Sequence, residues 1–269
     1  MGSLDDRELV FATYLAPCIA PVYEFVATTV GEKLDRPTRL IVGESFDQVR
    51  NAEVDFAFLC GLPYVRLKRE NPEAVEAIAA PIIQGERYEK RPVYFSDVIV
   101  PARSPAAAFE DLRGRSWAYN EPDSHSGYLI TLSTLVEMDE TPQFFERWEM
   151  TGFHQESIRL VAADRIEGSA VDSQVLGIEL RDHPELAGRI RVIGTLGPST
   201  IQPLVATAAV PPGLRHEVIE IIAGLGSIES ERRSLSAGMV DRFVAIDDSA
   251  YGDIRSKLKA VEEAGYLQA

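Results

Sequence analysis

Short apolar runs of strand length alternate with segments of helical periodicity from one end of the chain to the other, and this alternation narrows the possible folds more than any other feature. Leu9–Leu15 reads as a buried strand, and Pro21–Leu34 follows with Val22, Phe25, Val26, Val30 and Leu34 at helical spacing. Thr38–Val42 is a second strand, Phe46–Asn51 a short helix and Val54–Leu59 a third strand. A βαβαβ beginning predicts an α/β fold, with a parallel sheet covered by helices on both faces. Further strands are expected at Ile78–Ile83, Asp97–Pro101, Ser116–Tyr119, Ala170–Val171, Ile190–Gly194 and Leu204–Ala208. Helices are expected at Phe109–Arg113, Ser126–Met138, Pro142–Trp148, Gln155–Arg165, Ser173–Arg181, Pro212–Leu225, Ser230–Phe243 and Tyr251–Ala264. Pro212 suits a helix start, where its missing N–H costs nothing.

Pro and Gly punctuate the pattern near 101–105 and again near 194–203. The expected organisation is therefore two lobes, residues 102–198 inserted into a lobe built from 1–101 and 199–269, with two crossings acting as a hinge. A chain of 269 residues accommodates two such lobes. Its formal net charge of −15 disfavours nucleic acid and anionic membranes as partners. No run approaches the ~20 apolar residues that span a bilayer. The start, Met1 to Glu8, is polar and acidic and lacks the basic and apolar regions of a secretory leader. The chain reads either as cytoplasmic or as a mature extracytoplasmic form whose leader has been replaced, Met1-Gly2-Ser3 then being a cloning remnant. Cys18 and Cys60 have no metal-type spacing and read as two buried thiols.

Three segments offer groups for binding. Asp123-Ser124-His125-Ser126-Gly127-Tyr128 follows a strand and a turn and opens a helix. A first helical turn has free N–H groups and partial positive charge; Ser124 and Ser126 add hydroxyls and Gly127 allows close approach, which together make an oxyanion cradle. The plainer alternative is helix capping by Asp123 or Ser124. His154, in Gly152–Ser157, either donates to an anion or packs structurally. Asp172, at the end of a strand, either faces a ligand or caps the next helix. Tyr14, Tyr64 and Tyr94 lie near strand ends, where open α/β sheets bind ligands. No nucleophile elbow, zinc helix, phosphate-binding loop or dinucleotide fingerprint is present, the four histidines are scattered, and neither a metal nor a cofactor is called for.

The order of these segments resembles the phosphate/phosphite/phosphonate-binding family of periplasmic solute-binding proteins of ABC transporters. The resemblance rests on VDFAFLCGLPYV (Val54–Val65), RPVYFSDVIVPARS (Arg91–Ser104), DLRGRSWAYNEPDSHSGYL (Asp111–Leu129), Phe144-Phe145, GFHQESIRLVAADRIEGSAVDSQVL (Gly152–Leu176) and FVAIDDSAYGDIR (Phe243–Arg255). It implies a type II periplasmic-binding-protein-like fold that closes over one small anionic ligand and serves an ABC permease. It also implies a ligand set of Ser124, His125, Ser126 and Gly127 with His154, Asp172 (or Ser173), Tyr94 and, more approximately, Tyr14 and Tyr64. Three places depart from the family pattern: Cys60-Gly61-Leu62-Pro63, His125 where Thr or another small residue is usual, and Ser199-Thr200-Ile201-Gln202-Pro203. Two other readings stay open at this level. One is a cytosolic enzyme on the same fold with His125, His154 and Asp172 as an acid–base set. The other is a sensory ligand-binding module.

Overall fold

The computed structural model describes residues 7–267. The polar start at 1–6, and with it the reading of Met1–Ser3, lies outside the described residues. The strands are β1 (Leu9–Thr13), β2 (Thr38–Val42), β3 (Phe56–Phe58), β4 (Val75–Ile83), β5 (Val93–Pro101), β6 (Ser116–Tyr119), β7 (Arg147–Met150), β8 (Gly168–Asp172), β9 (Ile190–Thr200), β10 (Leu204–Thr207) and β11 (Val240–Ala245). The helices are α1 (Ala20–Leu34), α2 (Asp47–Arg50), α3 (Gly61–Glu70), α4 (Ile130–Glu137), α5 (His154–Ala162), α6 (Ser173–Asp182), α7 (Pro212–Ala223), α8 (Glu229–Ala237) and α9 (Gly252–Glu263). Among the described residues no helix is long and apolar enough to cross a membrane.

The chain divides into two compact units. The first runs up to Val93 and resumes with Thr200–Gly252; the second is Tyr94–Ser199 with the residues from Asp253 onward. The sequence placed 94–101 in the first lobe, but β5 pairs antiparallel with β8, Ser96 opposite Asp172, and from Tyr94 onward it belongs to the second unit. The last helix, expected with the first lobe, also counts with the second unit.

In the first unit the strand order is β11-β4-β10-β3-β1-β2. β1 pairs parallel with β2 and β3, as the βαβαβ pattern predicts, while β10 runs antiparallel to both β3 and β4. Its core stacks Phe11 on Phe56 at 4.8 Å and Tyr23 on Phe58 at 3.9 Å between ring centroids. The helix α3 was not expected, because Gly61 and Pro63 in its first turn look like a loop; that turn is where Pro costs a helix least.

In the second unit the order is β7-β6-β8-β5-β9, with β6 parallel to β7 and β8. Alternate residues of the central strands face opposite layers, as a pleated strand requires. Trp117, Val98, Val100 and Ala170 pack with Leu135 of α4 and with Phe109, Phe144 and Phe145. Ala118, Ile99 and Val171 pack with Ile158 and Val161 of α5 and Leu176 of α6. Helices therefore cover both faces of this sheet.

Two expected helices contain strands instead. Pro142–Trp148 is a short 3₁₀ turn followed by β7, since Phe144 and Phe145 fill the core without helical geometry. Ser230–Phe243 is helical only to Ala237; Gly238 and Met239, the latter at φ 59°, turn the chain into β11, which pairs antiparallel with β4.

Trp117 is fully buried, stacked on Phe145 at 4.6 Å and edge-on to Phe109 at 5.6 Å. Trp117→Ala is expected to cost the second unit about 3–5 kcal/mol. Denaturant unfolding followed by the fluorescence of Trp148, in the same unit, measures that loss.

Candidate functional site

The second unit gathers most of the residues singled out in the sequence around the turn after β6. Ser124 is in extended conformation and caps the turn: its Oγ accepts from the Gly127 N–H at 3.1 Å, and its carbonyl accepts from the Leu129 N–H at 3.0 Å. The His125 carbonyl accepts from the Ile130 N–H. These i→i+5 bonds make His125–Leu129 a π-helical turn that runs into α4, where the spacing predicted ordinary α-helix from Ser126. Such wide turns recur at functional sites.

Side-chain anchors accompany the widened turn. His125 is fully buried, with Nε2 2.8 Å from Ser199 Oγ near the end of β9 and its ring centroid 6.2 Å from that of Tyr94, near the start of β5. Ser126 Oγ lies 2.9 Å from His154 Nε2, in the first turn of α5. Gly127 packs against Asn120: a Cβ there would fall 2.0 Å from Asn120 Oδ1 and 3.2 Å from His154 Cε1. Any side chain at 127 would therefore displace both neighbours. Asn120 was not singled out in the sequence, and Ser199 was noted only as part of the segment 199–203, not as a partner of His125. Ser199 is 74 positions from the histidine it contacts and has no local signal, and Asn120 is one polar residue in a turn full of them.

The remaining candidates sit differently. Asp172 is 2% exposed and caps α6, Oδ1 accepting from the Gln174 N–H at 2.8 Å and the Val175 N–H at 3.3 Å. Ser173 Oγ accepts from the Phe95 N–H at 3.1 Å. Tyr14 and Tyr64 belong to the first unit. The Tyr14 hydroxyl lies 3.0 Å from the Ser45 carbonyl and 3.1 Å from Gln48 Oε1, and its ring covers Gly43, where a Cβ would meet it at 2.2 Å. Burial, aided by the charge of Glu53, pushes this phenol up to about 12. Tyr64, completely buried in the first turn of α3, donates to Asp248 Oδ1 at 2.7 Å.

Burial drives the His125 imidazole down to about 3, with the positive charge of Lys257 adding to the effect and the negative charge of Asp253 opposing it. Burial alone brings His154 to about 4. Both rings are neutral near pH 7, and Ser124–Gly127 contains neither Lys nor Arg. The turn thus offers hydroxyls, amides and imidazoles without a formal charge. Ser126 and His154 resemble half of a nucleophilic triad, but His154 Nδ1 has no acceptor among the described residues, so nothing orients the ring as a base. The acid–base set of His125, His154 and Asp172 does not form either: His125 is engaged with Ser199, and Asp172 with the amides of α6. Among the described residues no cluster of His, Cys, Asp or Glu could hold a metal ion.

The two depressed imidazoles set an acid limit. The unfolded chain takes up their protons below about pH 6.5, and the folded chain refuses them until about pH 4 for His154 and about pH 3 for His125. Stability is therefore expected to fall as pH drops through that window, by up to about 1.4 kcal/mol per pH unit for each ring. Denaturant midpoints measured between about pH 7 and about pH 5 are expected to shift less with pH in His125→Asn and in His154→Asn than in the parent. Equal pH dependence in all three proteins would contradict the neutral assignment.

Comparison with known proteins bears on the fold and the family. A binding-protein component of an ABC phosphonate transporter from Pseudomonas aeruginosa superposes with a TM-score of 0.84 at 16% identity, covering 97% of this chain and 88% of that one. PhnD1 from Prochlorococcus marinus, solved with methylphosphonate, superposes with a TM-score of 0.81 at 16% identity, covering 95% and 98% of the two chains. A Xanthomonas citri protein solved with ATP gives 0.69 at 16% identity over 97% and 99%. These likenesses establish the fold. The sequence pattern of the family described as "ABC transporter, phosphonate, periplasmic substrate-binding protein" matches residues 13–251. The chain accordingly belongs to the phosphonate-binding family of periplasmic substrate-binding proteins of ABC transporters, a family of transport receptors and not of enzymes.

Proposed function

We propose that this protein captures a phosphonate or a closely related tetrahedral oxyanion on the π-helical turn at His125–Leu129 and hands it to an ABC permease outside the cytoplasmic membrane. The observation that carries this reading is the 2.9 Å contact between Ser126, in the turn that leads into α4, and the neutral imidazole of His154, in the first turn of α5. With the proton on Nε2, the ring donates to the Ser126 oxygen and leaves the hydroxyl hydrogen for the guest. The backbone N–H groups of a first helical turn point the same way and favour negative charge. Ser124 contributes a second hydroxyl while capping the turn. Tyr94 and Ser199 hold His125 in place and shape the wall beside it.

A bond from an uncharged donor to an anionic oxygen is worth about 1.5–3 kcal/mol. Several such bonds, less the cost of ordering the ligand, are enough for micromolar or tighter binding. Asp172, 2% exposed and already accepting from two amides, serves better as a support for α6 than as a direct contact with an anion.

Titration calorimetry with methylphosphonate, an aminoalkyl phosphonate, phosphite and phosphate tests the assignment and ranks the ligands. Ser126→Ala is expected to weaken the best of them about tenfold or more, the equivalent of about 1.4 kcal/mol. Gly127→Ala, which pushes a methyl group into Asn120 and His154, is expected to abolish binding. Full affinity in Ser126→Ala would remove the turn from consideration as the site.

A further inference from the structure

The carboxyl end of β6 carries a buried polar side chain that the proposed ligand set does not use. Asn120 follows β6 directly and is 8% exposed. The strand has parallel neighbours on both sides, β7 and β8, and open α/β sheets hold their ligands beyond the carboxyl ends of such strands. The backbone here is tied to the segment that leads to His154. The Asn120 carbonyl accepts from the Gly152 N–H at 2.7 Å, and the Tyr119 carbonyl accepts from the Thr151 N–H at 2.9 Å.

The two arms of the Asn120 carboxamide do different things. Oδ1 lies over Gly127, in the place that a Cβ at 127 would take, and His154 Cε1 is 3.2 Å from the same point. Ser126, one residue earlier, reaches that imidazole at 2.9 Å. Asn120, Gly127, Ser126 and His154 are therefore one contiguous group within the second unit. Among the described residues Oδ1 is buried with no hydrogen-bond partner. Its neighbour is the Gly127 Cα, whose hydrogens attract a carbonyl oxygen weakly. The flipped amide would press N–H donors against those hydrogens, so the contact selects the orientation with oxygen inward. Nδ2, on the other arm, points away from Gly127. It has no partner among the described residues and, unlike Oδ1, is not fully enclosed. An enclosed amide oxygen left unpaired is unfavourable. A Leu would fill the same space without that cost. What Asn adds over Leu at this position is a pair of N–H donors.

We infer that Asn120 is a further ligand-binding residue of the proposed site, its Nδ2 donating to an oxygen of the bound anion while Oδ1 rests on Gly127 and sets the angle of the amide. This inference rests on the proposed anion site and extends its donor set to the end of β6 by another group without formal charge. Gly127 is then needed twice, since a side chain there would also swing the amide out of line.

The test reads the Asn120 side chain itself. In the nitrogen–proton correlation spectrum of the parent, its Nδ2 pair, assigned through its own Cβ and Cγ, is expected to shift as the best ligand of the panel above is titrated in. Asn120→Leu, which keeps the approximate volume and removes the donors, is expected to weaken binding about tenfold or more in calorimetry. Asn120→Asp, which keeps the shape and sets a negative charge beside Glu121, is expected to weaken it about a hundredfold or more. A side chain that merely supported the turn would tolerate the Asp isostere. Melting curves check the fold of both variants, and if either fails to fold, the titration shift in the parent decides. An Nδ2 pair that does not move at saturation, or parent affinity in Asn120→Asp, would overturn the role of Asn120, even where a loss in Ser126→Ala upholds the site. Binding of no panel member would remove the site and this role together.

Discussion

A buried polar turn survives only if its groups find partners, and much of this structure is arranged around meeting that demand at Ser124–Leu129. Ser124 meets it from within the turn, while His125 and Ser126 reach outward, one to Ser199 and the other to His154. Those two contacts lash the start of α4 to the end of β9 and to the start of α5. Because the imidazoles are too deeply buried to charge, they work as fixed dipoles. Their pairing with hydroxyls anchors two residues of the wide turn to distant elements.

A turn without formal charge, binding an anion as proposed, recognises shape and hydrogen-bond direction before it recognises charge. Donors fixed in place need no reorganisation when an oxyanion arrives, and a neutral site avoids the cost of stripping water from a buried ammonium or guanidinium. Asp172 stands in the same unit with its Oδ1 accepting from the amide groups that open α6.

Much of this was legible in the amino-acid order. The strand spacing gave the parallel β2-β1-β3 core and the position of β6, and the segment from Asp123 to Gly127 announced a helix start rich in donors. What stayed hidden depends on partners distant in sequence. Nothing near His125 points to Ser199, and nothing in Ser-His-Ser-Gly distinguishes a π turn from an α turn, since the difference lies in which carbonyl each amide selects. Tyr14 and Tyr64 each stand near a strand end, as read, but their hydroxyl partners were not legible: the Tyr14 hydroxyl faces Ser45 and Gln48, and that of Tyr64 is bonded to Asp248. β7 and β11 were hidden by their neighbours, because aromatic pairs and a preceding helix both mimic helical spacing.

The strand order of the first unit has a consequence for how the molecule is made. β4 ends at Ile83, but the strand that separates it from β3 begins only at Leu204, and its other neighbour only at Val240. The second unit likewise waits for α9. Unpaired edges therefore persist until nearly the whole polypeptide has left the ribosome. A chain that cannot close early stays pliable through most of its synthesis, in the state that can still be threaded through a narrow channel before it folds.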